Sequence, residues 1–416
     1  MCKSKFWRVV FLLQMMHNIG HSQELAQWRG FNRDGTYNEK CLMTSWPENG
    51  PELLWFTEEI GSGFGSPVII KEKILVNGEN DSISHLFVFD LQGKLLWKAP
   101  NGREFFGEGY SGSFPGARST PTVYNDKVYV CSGNGRIACF DVATGKEKWS
   151  VEMVKDLGGL KNQFGYSESL IVDEKYVYCF PGGEEDNFVA LDRFTGKTVW
   201  ASKALGDKAT FCSPIFVNVL NRKILVTLSR EYLLGIDCGN GELLWSQKQD
   251  SVVIEGEHCN TPIYSDGFIY YVSGDKNGNG AVKLALSADG KTITEVWRNR
   301  RVDNAFGGFV KVNNYLFCTV KANKLKCLNS DIGNEVDSLT NVRGSLIFAD
   351  DMLYCYTNNG EVKLIRPTGS KMELISKFKC GKGSKEHFSH PVIANGILYI
   401  RHGKALMAYD IREKAI

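Results

Sequence analysis

Residues 137 to 149 read IACFDVATGKEKW, a β-prone run that meets Asp141, turns through Thr144 and Gly145, and resumes at a tryptophan, Trp149. Asp bonds its own backbone two residues on and Gly accepts the positive φ of a tight hairpin, so the stretch predicts two antiparallel strands joined at Asp-x-x-Thr-Gly. The same pattern recurs as LFVFDLQGKLLW ending at Trp97, FVALDRFTGKTVW ending at Trp200, LLGIDCGNGELLW ending at Trp245 and, more loosely, VKLALSADGKTITEVW ending at Trp297. Later copies decay. LKCLNSDIGNEVD carries Asp337 at the tryptophan position, and VKLIRPTGSKMELI has lost both the Asp and the Trp. The tryptophans are expected to wedge between neighbouring repeats, where a large ring buries much area.

Each copy follows a second recurring piece, a turn and two strands, as in STPTVYNDKVYVCSG and SHPVIANGILYIRHG. A unit is therefore four short strands with alternating β-branched and aromatic residues. Four strands per repeat select an all-β propeller over a solenoid. Unit starts fall near Pro67, Pro121, Ser169, Pro214, Pro262, Gly308, Ser345 and Pro391, which predicts eight four-stranded antiparallel blades. The last unit ends at ALMAYDIREKAI without a fourth strand, while GPELLWFTEEI near the N-terminus is an orphan strand with Trp55 at the motif position. The N-terminal strand is thus expected to complete blade eight and close the ring. The domain reading is a signal peptide over 1–22, an N-terminal arm over 23–51 and one propeller over 52–416.

The first 22 residues carry three basic side chains and no acid, then the apolar run VVFLLQMM and a small-residue end at Gly20 and Ser22. They read as a secretory signal cleaved near Ser22 and Gln23, and as too short and too broken by Gln14 and His17 to remain a membrane span. Cys2 precedes the apolar run, where a lipid-anchor signal would place its cysteine after it. Removing this segment takes the formal net charge from +2 to about −1. No basic patch stands out, so nucleic acid is not an expected partner. Of twelve cysteines, Cys131, Cys139, Cys179, Cys318, Cys327 and Cys355 sit inside apolar strands and read as buried thiols. No Cys-x-x-Cys pair is present to suggest a zinc or redox site.

The Asp-x-x-Thr-Gly-Lys-x-x-Trp repeat resembles the pyrroloquinoline-quinone (PQQ) type propeller repeat. That architecture is shared by quinoprotein alcohol dehydrogenases and by the propeller lipoprotein of the outer-membrane β-barrel assembly machine. The stretch QWRGFNRDGTYNEKCLMTSWPENGPELLW, 27 to 55, is also similar to the opening of exported propeller proteins called polyvinyl-alcohol-dehydrogenase-like. The dehydrogenase resemblance would imply a quinone held against a tryptophan and a disulfide of adjacent cysteines, with Ca²⁺ and an aspartate base. No Cys-Cys and no Cys-x-x-Cys-His occurs here, so no cofactor-binding, metal or catalytic residue is carried over and no cofactor is predicted, PQQ with Ca²⁺ standing as the alternative.

Ligands of a propeller usually enter at the face where inner strands begin and the blade-to-blade crossovers collect. The residues just before each inner strand are Ser66, Thr120, Glu168, Ser213, Thr261, Gly307, Gly344 and His390. Six are small; Glu168 and His390 are not, and an ionisable group at such a mouth must be solvated, paired or functional. One residue earlier the alignment adds Arg343, and the crossovers add Tyr110, Arg118, Tyr166, Glu257, His258 and His387. A scaffold would pair Arg118, Glu168, Arg343 and His390 to plug the channel; a binding site would use the same groups as a polar funnel for a small anionic or sugar-like ligand, with His390 or His258 able to move a proton near neutral pH. DKNGNG, 275 to 280, matches the first half of a calcium loop, but Leu286 stands where the bidentate Glu is needed, so it reads as a hairpin tip.

These readings favour an exported, monomeric binding or scaffold module of the periplasm or extracellular space, taking an envelope protein or a small polar ligand at the channel mouth. A quinone-dependent or other oxidoreductase is the alternative. A carbohydrate-binding or carbohydrate-cleaving propeller is the third, requiring Glu168 and Glu257 to stand about 5 to 9.5 Å apart.

Overall fold

The computed structural model describes residues 24–249, 258–274, 280–304 and 306–414. Eight antiparallel sheets follow one another along the chain. Blade one runs Val68–Ile70, Lys73–Asn80, Ile83–Asp90, Leu95–Arg103, and blade two Thr122–Tyr124, Lys127–Cys131, Arg136–Asp141, Glu147–Glu152. Blades three to seven repeat the scheme, beginning at Ile171, Ile215, Ile263, Phe309 and Gly344. Blade eight has Val392–Ala394, Ile397–His402 and Ala405–Asp410, and its outer strand is Glu52–Thr57, antiparallel to the last of these. The first strand of the ring therefore pairs with the final one, and the all-β, eight-bladed propeller closes as expected. Arg401 staples the seam: its guanidinium, fully buried, donates to the carbonyl oxygens of Gly61, Gly65 and Asn77 in blade one and of Gly403 in its own. Cys131, Cys139, Cys179, Cys318, Cys327 and Cys355 are buried thiols inside the blades.

The repeated motif explains how blades lock together. Asp141 Oδ1 accepts from the amide and hydroxyl of Thr144, and Gly145 completes the turn at φ +69°. The bare face of that turn is where the preceding blade's tryptophan lands: an added methyl at Gly145 would meet the Trp97 ring at 2.8 Å, and one at Gly196 the Trp149 ring at 2.6 Å. Four of the indoles also reach a backbone carbonyl of the next blade, Trp149 to Arg193, Trp200 to Cys238, Trp245 to Gly290 and Trp297 to Ser330. Where the motif decays, something else bridges. Asp337, in the tryptophan's place, accepts from the Met372 amide of blade seven at 2.8 Å. Between blades seven and eight the gap is filled from outside the ring, by Trp46 against Tyr354 and Phe378 and by Leu42 beside it.

Trp46 belongs to the N-terminal arm, part of which is threaded through the ring. Leu25–Ala26 pairs with the inner strand of blade two and Thr36–Tyr37 with that of blade seven, so the residues between cross the channel. Arg33 donates to the carbonyls of Ser169 and Leu170 in blade three and Pro214 in blade four, Trp28 to Thr261 Oγ1 of blade five, and Arg29 to the Phe309 carbonyl of blade six. Inner strands converging on an axis leave carbonyls with no neighbour strand to bond, and a guanidinium with five donors suits several at once. Burial holds Arg29 down to about 10 and Arg33 to about 9, both still charged near neutrality.

A candidate ligand cavity at the channel mouth

Above the arm, the small residues that open the inner strands form a belt. The His390 amide donates to Ser66 Oγ, the Ser66 amide to Thr120 Oγ1, the Thr120 amide to Ser169 Oγ and the Ser169 amide to Ser213 Oγ, each crossing one blade boundary at 2.9 to 3.1 Å. These positions are small for want of room and hydroxylated because each must accept the previous blade's amide. The belt also corrects the alignment of blade three: Ser169, not Glu168, holds the equivalent place. Glu168 sits one residue earlier with its side chain buried, Oε1 accepting from the Phe180 amide at 2.7 Å. Burial raises its carboxyl to about 7 against the opposing field of Arg33.

Over the belt lies a cavity of about 270 Å³. Its wall is an arc of aromatic rings drawn from six of the eight crossovers: Phe388 meets Phe306 at 5.1 Å, Phe64 at 5.5 Å and Phe114 at 6.3 Å, and Phe164 meets Phe114 and Tyr110 at 6.2 Å and Phe211 at 5.8 Å. Such edge-tilted pairs are favourable beyond their buried area. Phe64, Arg118, Phe211 and Phe388 all stand three residues ahead of an inner-strand proline, one step beyond the positions read from the sequence, so extending that alignment by one residue would have found this wall.

Of the residues singled out from the sequence, Tyr110, Arg118 and His390 line the cavity. Tyr110 is 73% exposed at the rim. Arg118 lies 5.7 Å over Phe64 and 5.9 Å over Phe164, steadied by the carbonyls of Gly116 and Phe114. His390, buried at the base, packs edge-on against Trp28 at 4.6 Å, and its ring nitrogens make no well-formed hydrogen bond, the contact with the Gly307 backbone falling short of good geometry. Burial first and the Arg29 charge second hold its imidazole well below the ordinary value, against a smaller opposing effect of the Gly307 backbone. Arg343 stacks 5.5 Å over Phe306, one of the wall rings. The rest are placed elsewhere. Tyr166 is buried in the core of blades two and three, its hydroxyl donating to the Pro181 carbonyl. His258 is buried against the Arg230 carbonyl and lowered to about 4 by burial. His387 stacks on His402 at 3.8 Å and meets the Tyr356 hydroxyl at 2.6 Å; burial and His402 lower it to about 4. Neither histidine is poised to move a proton near neutral pH. Glu257 and the 275–279 part of the calcium-like loop lie outside the described residues.

Among the described residues no ion pair joins Arg118, Glu168, Arg343 and His390; the charges that fill the channel are those of the arm. Among the described residues no carboxylate lines the cavity, and no three His, Cys, Asp or Glu side chains cluster to hold a metal ion.

Comparison with known proteins agrees with the architecture. The family described as outer membrane protein assembly factor BamB matches residues 52–179 and 82–336. Among curated relatives, the outer membrane protein assembly factor BamB of Alkalilimnicola ehrlichii is 24% identical over 240 residues, covering 55% of this chain and 50% of the relative. The chain spans half or less of the length of the curated relatives it matches. Among solved structures, BamB from Moraxella catarrhalis superposes with a TM-score of 0.61 at 10% identity over 87% of this chain and 99% of its own, and quinohemoprotein alcohol dehydrogenase from Comamonas testosteroni with 0.50 at 12% over 94% and 81%. At such identities these superpositions speak for the fold alone. The family match, by contrast, runs from the ring-closing strand through blade six, and the chain belongs to the family of the outer membrane protein assembly factor BamB.

Proposed function

We propose that this chain is an envelope scaffold, exported by residues 1–22, that binds a protein of outer-membrane assembly through the crossover loops on its mouth face. The observation that carries this is a run of exposed apolar side chains on three successive crossovers: Phe106 and Tyr110 between blades one and two, Leu160 between two and three, and Leu205 between three and four, 57, 73, 45 and 42% exposed. Large apolar groups concentrated on one sector of one face are a feature of interaction surfaces. Family membership supports the kind of partner, since the curated relatives are named as assembly factors of outer-membrane proteins.

The test is binding of the purified chain to a purified outer-membrane β-barrel assembly machine. Phe106→Asp combined with Leu160→Asp should weaken binding at least tenfold while leaving the melting temperature within a few degrees. Unchanged binding by this double variant would refute the docking face.

A further inference from the structure

The cavity itself has a chemistry that a docking rim does not require. A dry apolar hole of about 150 Å³ accepts a benzene ring, so about 270 Å³ has room for one ring with substituents. Its wall is aromatic, yet several polar atoms at its base are left unmet. Ser167 Oγ lacks a partner, the nitrogens of buried His390 make no well-formed hydrogen bond, and behind His390 the buried Arg29 leaves Nε and Nη1 unbonded. Unpaired buried polar atoms are costly and few in native proteins. The fixed charge among the described residues is one-sided: Arg118 is in the wall and Arg29 lies behind the base, while no described Asp or Glu lines the cavity. Glu104 acts on Arg118 from outside, but its Oε1 is already held by the amides of Phe105 and Gly133.

We infer that the mouth cavity binds a single aromatic ring bearing a carboxylate, the ring held among Phe64, Phe164 and Phe388 and the anionic head taken by Arg118 with Ser167 and His390. A cation is disfavoured by both arginines. The carboxylate could come from a free aromatic acid or from a protein chain ending in an aromatic residue. A ligand can occupy the cavity with or without a protein on the rim, so failure here would leave the scaffold reading untouched.

Titration calorimetry on the full chain tests this with phenylacetate, its uncharged amide phenylacetamide, and the peptides acetyl-Gly-Gly-Phe with free and amidated C-terminus. Phenylacetate should bind at least tenfold more tightly than phenylacetamide. Arg118→Gln should abolish that preference while leaving phenylacetamide affinity unchanged, and Phe164→Ala should weaken both ligands. Should Arg118→Gln fail to fold, Ser167→Ala, whose hydroxyl no other group uses, should still lower phenylacetate affinity severalfold. Binding of the free-acid peptide as well as phenylacetate assigns a chain terminus; binding of phenylacetate alone assigns a free acid. Equal affinity for acid and amide, or no binding of either, would overturn the inference.

Discussion

Replacing Glu168 by Gln should stabilise the protein at pH 8 and change little at pH 4. The fold buries the carboxyl and raises it from 4.5 to about 7, so the neutral form is the one the interior prefers. A raised folded value means the contribution of protonated Glu168 is fully present below the ordinary value and is lost as pH climbs through the folded one. A gap of some 2.5 units at about 1.36 kcal/mol each amounts to roughly 3 kcal/mol, developing between about pH 4.5 and pH 7. Gln keeps an oxygen for the Phe180 amide and cannot ionise, so it stands in for the neutral acid. The assay is urea unfolding of both proteins from pH 4 to pH 8, taking the difference so that every other titrating group cancels. A difference that stays flat across this range, or a variant less stable at pH 8, would show that Glu168 is charged and compensated in the folded state.

The interlock of indole and turn predicts that Gly196→Ala, whose new methyl would meet Trp149 at 2.6 Å and which sits at φ +71°, costs about 1–3 kcal/mol by chemical denaturation. Gly267→Ala, at a similar φ of +83° but with no atom within 4 Å, should cost less; equal losses would remove the ring contact from the explanation. Arg401→Met strips charged donors from carbonyls on both sides of the closing seam and should lower stability by about 3 kcal/mol or more, read as a clear drop in melting temperature. An unchanged melting temperature would mean that the paired strands alone hold the ring shut.

Blade count, closure and turn chemistry could be read from the chain because each is local: an Asp, a Gly and a Trp at fixed spacing specify a hairpin and what covers it. Register was less secure. Five inner strands are announced by a proline, Pro67, Pro121, Pro214, Pro262 and Pro391, but blade three opens with Glu168-Ser169-Leu170, and without that marker the alignment slips by one residue and places a buried carboxylate at the mouth. The threaded arm was not legible at all. Arg29 and Arg33 bind backbone carbonyls, which every residue possesses, so no side-chain pattern elsewhere in the sequence answers to them. The same holds for His258 and His387, whose partners include a main-chain oxygen and another ring.

The arm also sets an order of events. Its side chains bond carbonyls of blades three, four and six and a hydroxyl of blade five, and farther along Glu39 accepts from the amides of Asn395 and Gly396 in the last blade. Residues synthesised first thus wait for partners more than 350 positions downstream, among the most distant contacts a chain of this length can make. Loop-closure entropy must be overcome before such contacts give anything back. Shutting the seam therefore carries one of the largest loop-closure costs in the chain, and a chain truncated within blade eight should lose both the Glu39 tie and the partner of the Glu52–Thr57 strand.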